Sequence, residues 1–177
     1  TAAGQVCNAV FTGAGSPDHA INGAPAAVQF NNITLAASSN TTTAGYALDI
    51  QGNVVLSAAS AFDGGGFTHT VAGNWTGNAT GSHISNDRII FDGTAQTIAG
   101  PAGFYDLEFA GSGTKTINTG TITVGNDLSV SGNNLTITSN QVMNITGRYL
   151  VSGSSAIITP SAAINITTNF EVSGTPT

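Results

Sequence analysis

Charge is what this sequence has least of. Only 7% of its 177 residues are Asp, Glu, Lys or Arg, against roughly 25% in ordinary soluble domains, so solubility has to rest on the hydroxyls and amides of Ser, Thr and Asn. Bases are scarcer still. Arg88, Lys115 and Arg148 stand against nine acids, a net charge of −6, which leaves no cationic surface for phosphate or anionic lipid and makes nucleic acid and membrane poor partners. Cys7 is the only cysteine, so no intrachain disulfide and no multi-cysteine metal site can form. No stretch reaches the ~20 apolar residues of a membrane span, and no charged-then-apolar signal-peptide pattern occurs. The chain starts at Thr1 rather than Met, as expected of a processed mature form or an excerpt from something longer.

Helix is missing as well. Gly or Asn interrupts every window of about a dozen residues, and no apolar spacing of 3, 4 and 7 develops. What the sequence does contain is 40% hydrophobic residues in short alternating runs of Ile, Val, Leu and Phe, set apart by Gly, Ser and Asn. That pattern reads as many short strands in a folded, not disordered, chain. Examples are residues 28–35, 53–56, 88–91, 106–109, 121–124 and 128–130.

Self-similarity supplies the architecture. Asn53, Asn74, Asn126, Arg148 and Asn169 each follow Gly or Thr and open a strand, with separations of 21, 52, 22 and 21 residues. A rung of about 21 residues therefore fits all but one interval. A longer period fills that interval: Phe30-Asn31-Asn32-Ile33-Thr34-Leu35-Ala36 matches Phe104-Tyr105-Asp106-Leu107-Glu108-Phe109-Ala110 at an offset of 74. Asn53 matches Asn126 at 73, and Asn74 matches Arg148 at 74. The expected organisation is one unit, residues 1–177, built from two modules of about 74 residues (near 10–83 and near 90–163) and a partial terminal coil.

A rung of that length suits one coil of a right-handed parallel β-helix, an all-β solenoid with three short strands and three turns per coil. With coils about 4.8 Å apart the chain makes roughly eight coils and a rod near 40 Å long. Ile, Val, Leu and Phe fill the inside. The recurrent Asn53, Asn74, Asn126 and Asn169 are expected at corners, where Asn tolerates unusual backbone angles, or in an amide ladder between coils that Arg148 interrupts. The stretch from Asn165 to Thr177 reads as an ordinary rung with no distinct cap.

Candidate chemistry is thin. Glycoside hydrolysis needs converging carboxylates, whereas Asp49, Asp63, Asp87, Asp92, Asp106, Glu108, Asp127 and Glu171 are scattered. The closest pair, Asp87 and Asp92, falls on opposite sides of a strand. A β-helical lyase needs an acidic Ca²⁺ cluster and a base, and three basic residues leave few candidates. No catalytic residue and no cofactor is assigned, and the expectation is a protein without enzymatic activity. Asp63 beside Gly64-Gly65-Gly66 is a single-carboxylate candidate for Ca²⁺. His19, His69 and His83 show no ligand spacing, and His69, between Thr68 and Thr70, reads as a surface residue. Trp75 and Tyr149, each following a corner residue, would stack on sugar rings if outward and pack the core if inward. Thr114-Lys115-Thr116 and Thr119-Gly120-Thr121-Ile122-Thr123 resemble the flat Thr arrays that order water on ice-binding solenoids, provided the threonines stay in register over several coils. Asn-x-Thr triplets at Asn32, Asn40, Asn74, Asn78, Asn134, Asn144 and Asn165 would carry glycans only in a secretory host.

The run Gly73-Asn74-Trp75, then Ile89-Ile90-Phe91-Asp92-Gly93-Thr94-Ala95-Gln96-Thr97-Ile98-Ala99-Gly100, then residues 104–109 and 122–130, resembles the modules of giant secreted surface adhesins of Bacteroidota and similar bacteria. The resemblance covers residues 10–174. The first copy departs from it through the longer segment Ser16-Pro17-Asp18-His19. It implies a secreted or cell-surface location, a β-solenoid rod, and a structural or adhesive role in attachment, biofilm matrix or gliding, with no catalytic residues. The implied partners are neighbouring solenoid modules, identical subunits joined end to end as a filament, and surface glycans.

Overall fold

A computed structural model of the chain describes residues 7–12, 19–22, 28–36, 41–57, 59–78 and 86–174. Within them there is no helix, and every strand pairing is parallel. The strands wind in stacked coils of about 21 residues and form a β-solenoid of about seven turns, one fewer than the sequence length suggests, because several steps between stacked residues are longer than 21. Phe11 lies against Leu35 and Ile21 against Ala44, steps longer than 21 residues.

Three faces run the length of the stack. Face A holds the first part of Val28–Leu35, then Leu48–Ile50, Thr68–Val71, Arg88–Phe91, Asp106–Phe109, Leu128–Val130, Tyr149–Val151 and Phe170–Val172. Face B holds Cys7–Phe11, the second part of Val28–Leu35, Val54–Leu56, Trp75–Thr76, Ala95–Ala99, Gly113–Thr119, Leu135–Ser139 and Ile157–Pro160. Because Val28–Leu35 passes round the A–B corner without a break, faces A and B form one 15-stranded sheet. Face C is two sheets, His19–Ile21 with Thr41–Ala44 and Ala61–Asp63, and Ala102–Phe104 with Ile122–Val124, Met143–Ile145 and Ile164–Ile166.

Alternation decides which side chains point in. Ile122-Thr123-Val124, Leu128-Ser129-Val130 and Met143-Asn144-Ile145 each bury their outer two residues and leave the middle one facing out, the period of two inherent to a strand. Exact stacking places like on like, with Leu107 over Leu128 and Val130 over Val151. The middle coils carry aromatics instead. Trp75, Phe91 and Phe104 meet edge to face, with ring centroids 5.3 to 6.3 Å apart, the arrangement favoured by ring quadrupoles. Turns are tight enough that Gly120 (φ +78°) has no room for a side chain: a Cβ there would lie 2.2 Å from the nitrogen of Pro101 on the coil below.

The 74-residue offset is not a whole number of 21-residue coils, so the two copies cannot occupy the same faces. Phe30 ends its strand segment on face A, while its counterpart Phe104 ends a strand on face C. The strand after the first copy's Asn31-Asn32 lies on face B, and the strand after the second copy's Tyr105-Asp106 lies on face A. Corresponding sequence thus recurs one face short of a whole number of coils.

Candidate functional site

The corner residues do a common job at two different corners. Leading into face B, Asn32 Oδ1 accepts the N–H of Asn53 (2.7 Å), Asn53 Oδ1 that of Asn74 (2.8 Å), and Asn74 Oδ1 that of Thr97 (2.7 Å). Leading into face A, Asp106 Oδ1 accepts the N–H of Asp127 (3.0 Å) and Asp127 Oδ1 that of Arg148 (2.8 Å). Each oxygen thereby serves a backbone donor that the turn leaves outside the strand ladder. The single column expected for Asn53, Asn74, Asn126, Arg148 and Asn169 divides accordingly. Asn53 and Asn74 stand at the A–B corner, and Arg148 and Asn169 at the C–A corner, where their carbonyls accept the N–H groups of Leu128 and Tyr149. Asn126 sits one residue earlier than its alignment implied: its N–H bonds Tyr105 O, its amide bonds Asp106 Oδ1, and Gly147 stacks over it. The residue beneath Arg148 is Asp127.

Asp can replace Asn in this role because only a γ-oxygen is needed, and on face A the substitution brings charge with it. Arg148 Nε and Nη2 both donate to Asp127 Oδ2, at 3.1 and 2.6 Å. Those bonds hold the Asp127 carboxyl below its usual range and push the guanidinium further up. Arg148 also reaches Glu171 (3.9 Å), and Arg88 reaches Asp106 (3.8 Å) and Glu108 (3.6 Å). Exposed pairs of this kind are screened by water and add little to stability. They space the coils and present no unpaired cluster for a ligand.

Trp75 and Tyr149 are 2% and 3% exposed. Both rings lie inside the rod, Trp75 on face B and Tyr149 on face A, so neither offers a face to a sugar. Burial also pushes the Tyr149 hydroxyl well above its ordinary range. Asp63 closes its own turn, with Oδ1 accepting the N–H of Gly65 at 2.9 Å and Oδ2 facing the Thr43 hydroxyl at 3.5 Å. No three His, Cys, Asp or Glu side chains come together among the described residues. Asp87 is buried and Asp92 exposed at opposite ends of Arg88–Phe91. His83 and residues 16–18 lie outside the described residues.

His69 is the correction among the histidines. It is fully buried, not at the surface. Its Nδ1 accepts the N–H of Leu48 (3.1 Å), which leaves Nε2 to carry the proton donated to Gly64 O (2.9 Å) and fixes the neutral tautomer. Two further inward polar residues escaped the sequence reading. Lys115 and Gln96 face each other across adjacent coils: Lys115 Nζ donates to Gln96 Oε1 (2.5 Å) and to Gly93 O, and Gln96 Nε2 donates to Val71 O (2.7 Å) and Gly73 O (2.5 Å). Desolvation lowers the Lys115 amine to about 8, partly offset by the Asp92 carboxylate. The signal was present in the alternation, since Lys115 shares its phase with Ile117 and Gln96 with Ile98.

The last described coil is unlike the others. Its inward positions still carry aliphatic and aromatic residues in register, Val151 under Val172 and Ile145 under Ile166. Yet Phe170 and Val172 are 57% and 47% exposed, and the outer edges of Ile157–Pro160, Ile164–Ile166 and Phe170–Val172 pair with no other described strand. Compared with known protein families, characterised proteins and solved structures, the chain matches none.

Proposed function

We propose that this chain is a non-catalytic structural and adhesive segment of an extracellular bacterial repeat protein, a solenoid rod that spaces or attaches surfaces. The observation that supports the reading is the rod itself, about seven coils of parallel strands joined coil to coil by Asn and Asp ladders at the corners. Repeats of this kind bury their apolar faces by stacking, so coils add length without a new kind of core. The rest of the rod fits a spacer: side-chain ladders at the corners, ion pairs on one face, and carboxylates engaged in turns and pairs instead of gathered in a groove. A secreted or cell-surface location accords with the resemblance to adhesin modules.

A second reading is a filament in which identical chains stack coil on coil, since the parallel ladder that joins coils within the chain can also join coils of two chains. Electron microscopy of the purified 177-residue chain at low and high concentration tests the two. Single short rods at every concentration support the spacer; rods that lengthen with concentration, with an axial repeat near one chain length, support the filament. Globular particles of neither kind would sink both.

A further inference from the structure

Every face of a solenoid displays its outward residues as files running along the rod, and face B displays threonine. Thr97, Thr116, Thr138 and Thr159 are consecutive partners in the strand register. A second file beside it runs Ala95, Thr114, Thr136 and Ile157. On the other side a third runs Val10, Thr34, Val55, Thr76, Ala99 and Thr119. Register over several coils, the condition the sequence alone left open, is therefore met. Neighbours along a file are about 4.8 Å apart, and neighbours within a strand, two residues on, about 6.6 Å apart.

The distribution of charge is an independent observation. The ion pairs of Arg88, Asp106, Glu108, Asp127, Arg148 and Glu171 all stand on face A or its corner. Among the described strands of face B the one charged residue is Lys115, and it is turned inward, 1% exposed, at the cost of burying an amine. Between Thr114 and Thr116 the outward surface is thus free of charge. The hydroxyls are also held: Thr138 Oγ1 and Thr159 Oγ1 lie 3.2 Å apart, and Thr159 Oγ1 donates to Ile137 O. β-branching stiffens each threonine at χ1, so the array loses little entropy on meeting a rigid partner.

We propose that face B is an ice-binding surface, its ligand the water lattice of ice. An uncharged grid of hydroxyls and methyls with two fixed spacings suits an uncharged crystalline partner whose own oxygen rows repeat on a similar scale. Each hydroxyl replaces a lattice hydrogen bond, and each methyl fills the space between rows. A charged side chain would keep its own hydration shell and break the grid, and none points outward from the described strands of this face. The proposal concerns one face of a single rod and stands whether or not rods join end to end.

The test is partition of the purified chain into slowly growing ice, together with thermal hysteresis and sedimentation, for the native chain and for Thr116→Tyr, Thr138→Tyr and Thr123→Tyr. Thr123 is an exposed threonine on face C and serves as the control. Far-ultraviolet circular dichroism and Trp75 fluorescence check folding. The native chain and Thr123→Tyr are expected to enter the ice and to separate the freezing and melting points. The two face B variants are expected to be excluded like an inert protein. Exclusion of the folded native chain, or equal loss in Thr123→Tyr, would overturn the proposal. So would a dimer that Thr138→Tyr converts to monomer, since a second copy of the chain would then be what covers the face.

Discussion

Replacing Lys115 by Met should abolish a rise in stability with pH. In the folded chain the amine lies against Gly93 O and Gln96 Oε1 with almost no access to water, and its pKa falls from 10.5 to about 8. Below pH 8 the group is protonated in both folded and unfolded chains, and the fold carries the full cost of burying it. Between about 8 and 10.5 the folded chain has released its proton while the unfolded chain still binds one, so stability increases with pH. At about 1.36 kcal/mol per unit, the gain is about 3 kcal/mol. Tyr149 acts in the opposite sense. Its folded pKa is raised by burial from 10.0, so above pH 10 the unfolded chain ionises first and stability is lost. Native protein should therefore be most stable near pH 10. Lys115→Met removes a buried charge but strands two acceptors at about 1–3 kcal/mol each, so it should be close to neutral at pH 7 and clearly weaker than the native chain at pH 10. Urea titrations at pH 7, 8, 9 and 10, followed through the single tryptophan, Trp75, give both curves. A flat native profile, or a rise that persists in Lys115→Met, would refute the reasoning.

The corners make two further outcomes measurable. Asn74→Ala deprives the exposed Thr97 N–H of its acceptor and should cost about 0.5–1.5 kcal/mol; Asn74→Asp should cost less, as Asp127 already fills that role, and the urea midpoints of the pair decide it. Gly120→Ala combines a positive φ with a clash against Pro101 and should cost more than about 1 kcal/mol, read as a lowered thermal midpoint.

How much of this was legible in the sequence depends on which regularity carries the information. The 21-residue period and the alternation of Ile, Val and Leu are local, and a solenoid converts local period directly into contacts, since each coil touches only its neighbours. Strands such as Leu128–Val130 and Met143–Ile145 could therefore be placed from sequence. The same locality misled where spacing drifted. Asn126 fell one residue from the column it was aligned to, because a step of 22 residues counted as one of 21, and in a strand one residue reverses the side on which a chain presents itself. His69, between two threonines, looked like a surface residue for want of knowing that its phase matches Val71.

The sequence by itself determined that this chain folds as stacked parallel coils, with an apolar interior and a surface nearly without charge, because period and composition are properties of the chain alone. Only the tertiary structure decided which face each residue joins. Variable turn lengths accumulate along the coils, so the 74-residue repeat returns one face short of a whole number of coils, Asn and Asp ladders separate onto different corners, and threonines far apart in the chain come into file. Those alignments are sums over every intervening turn, and no local pattern contains the sum.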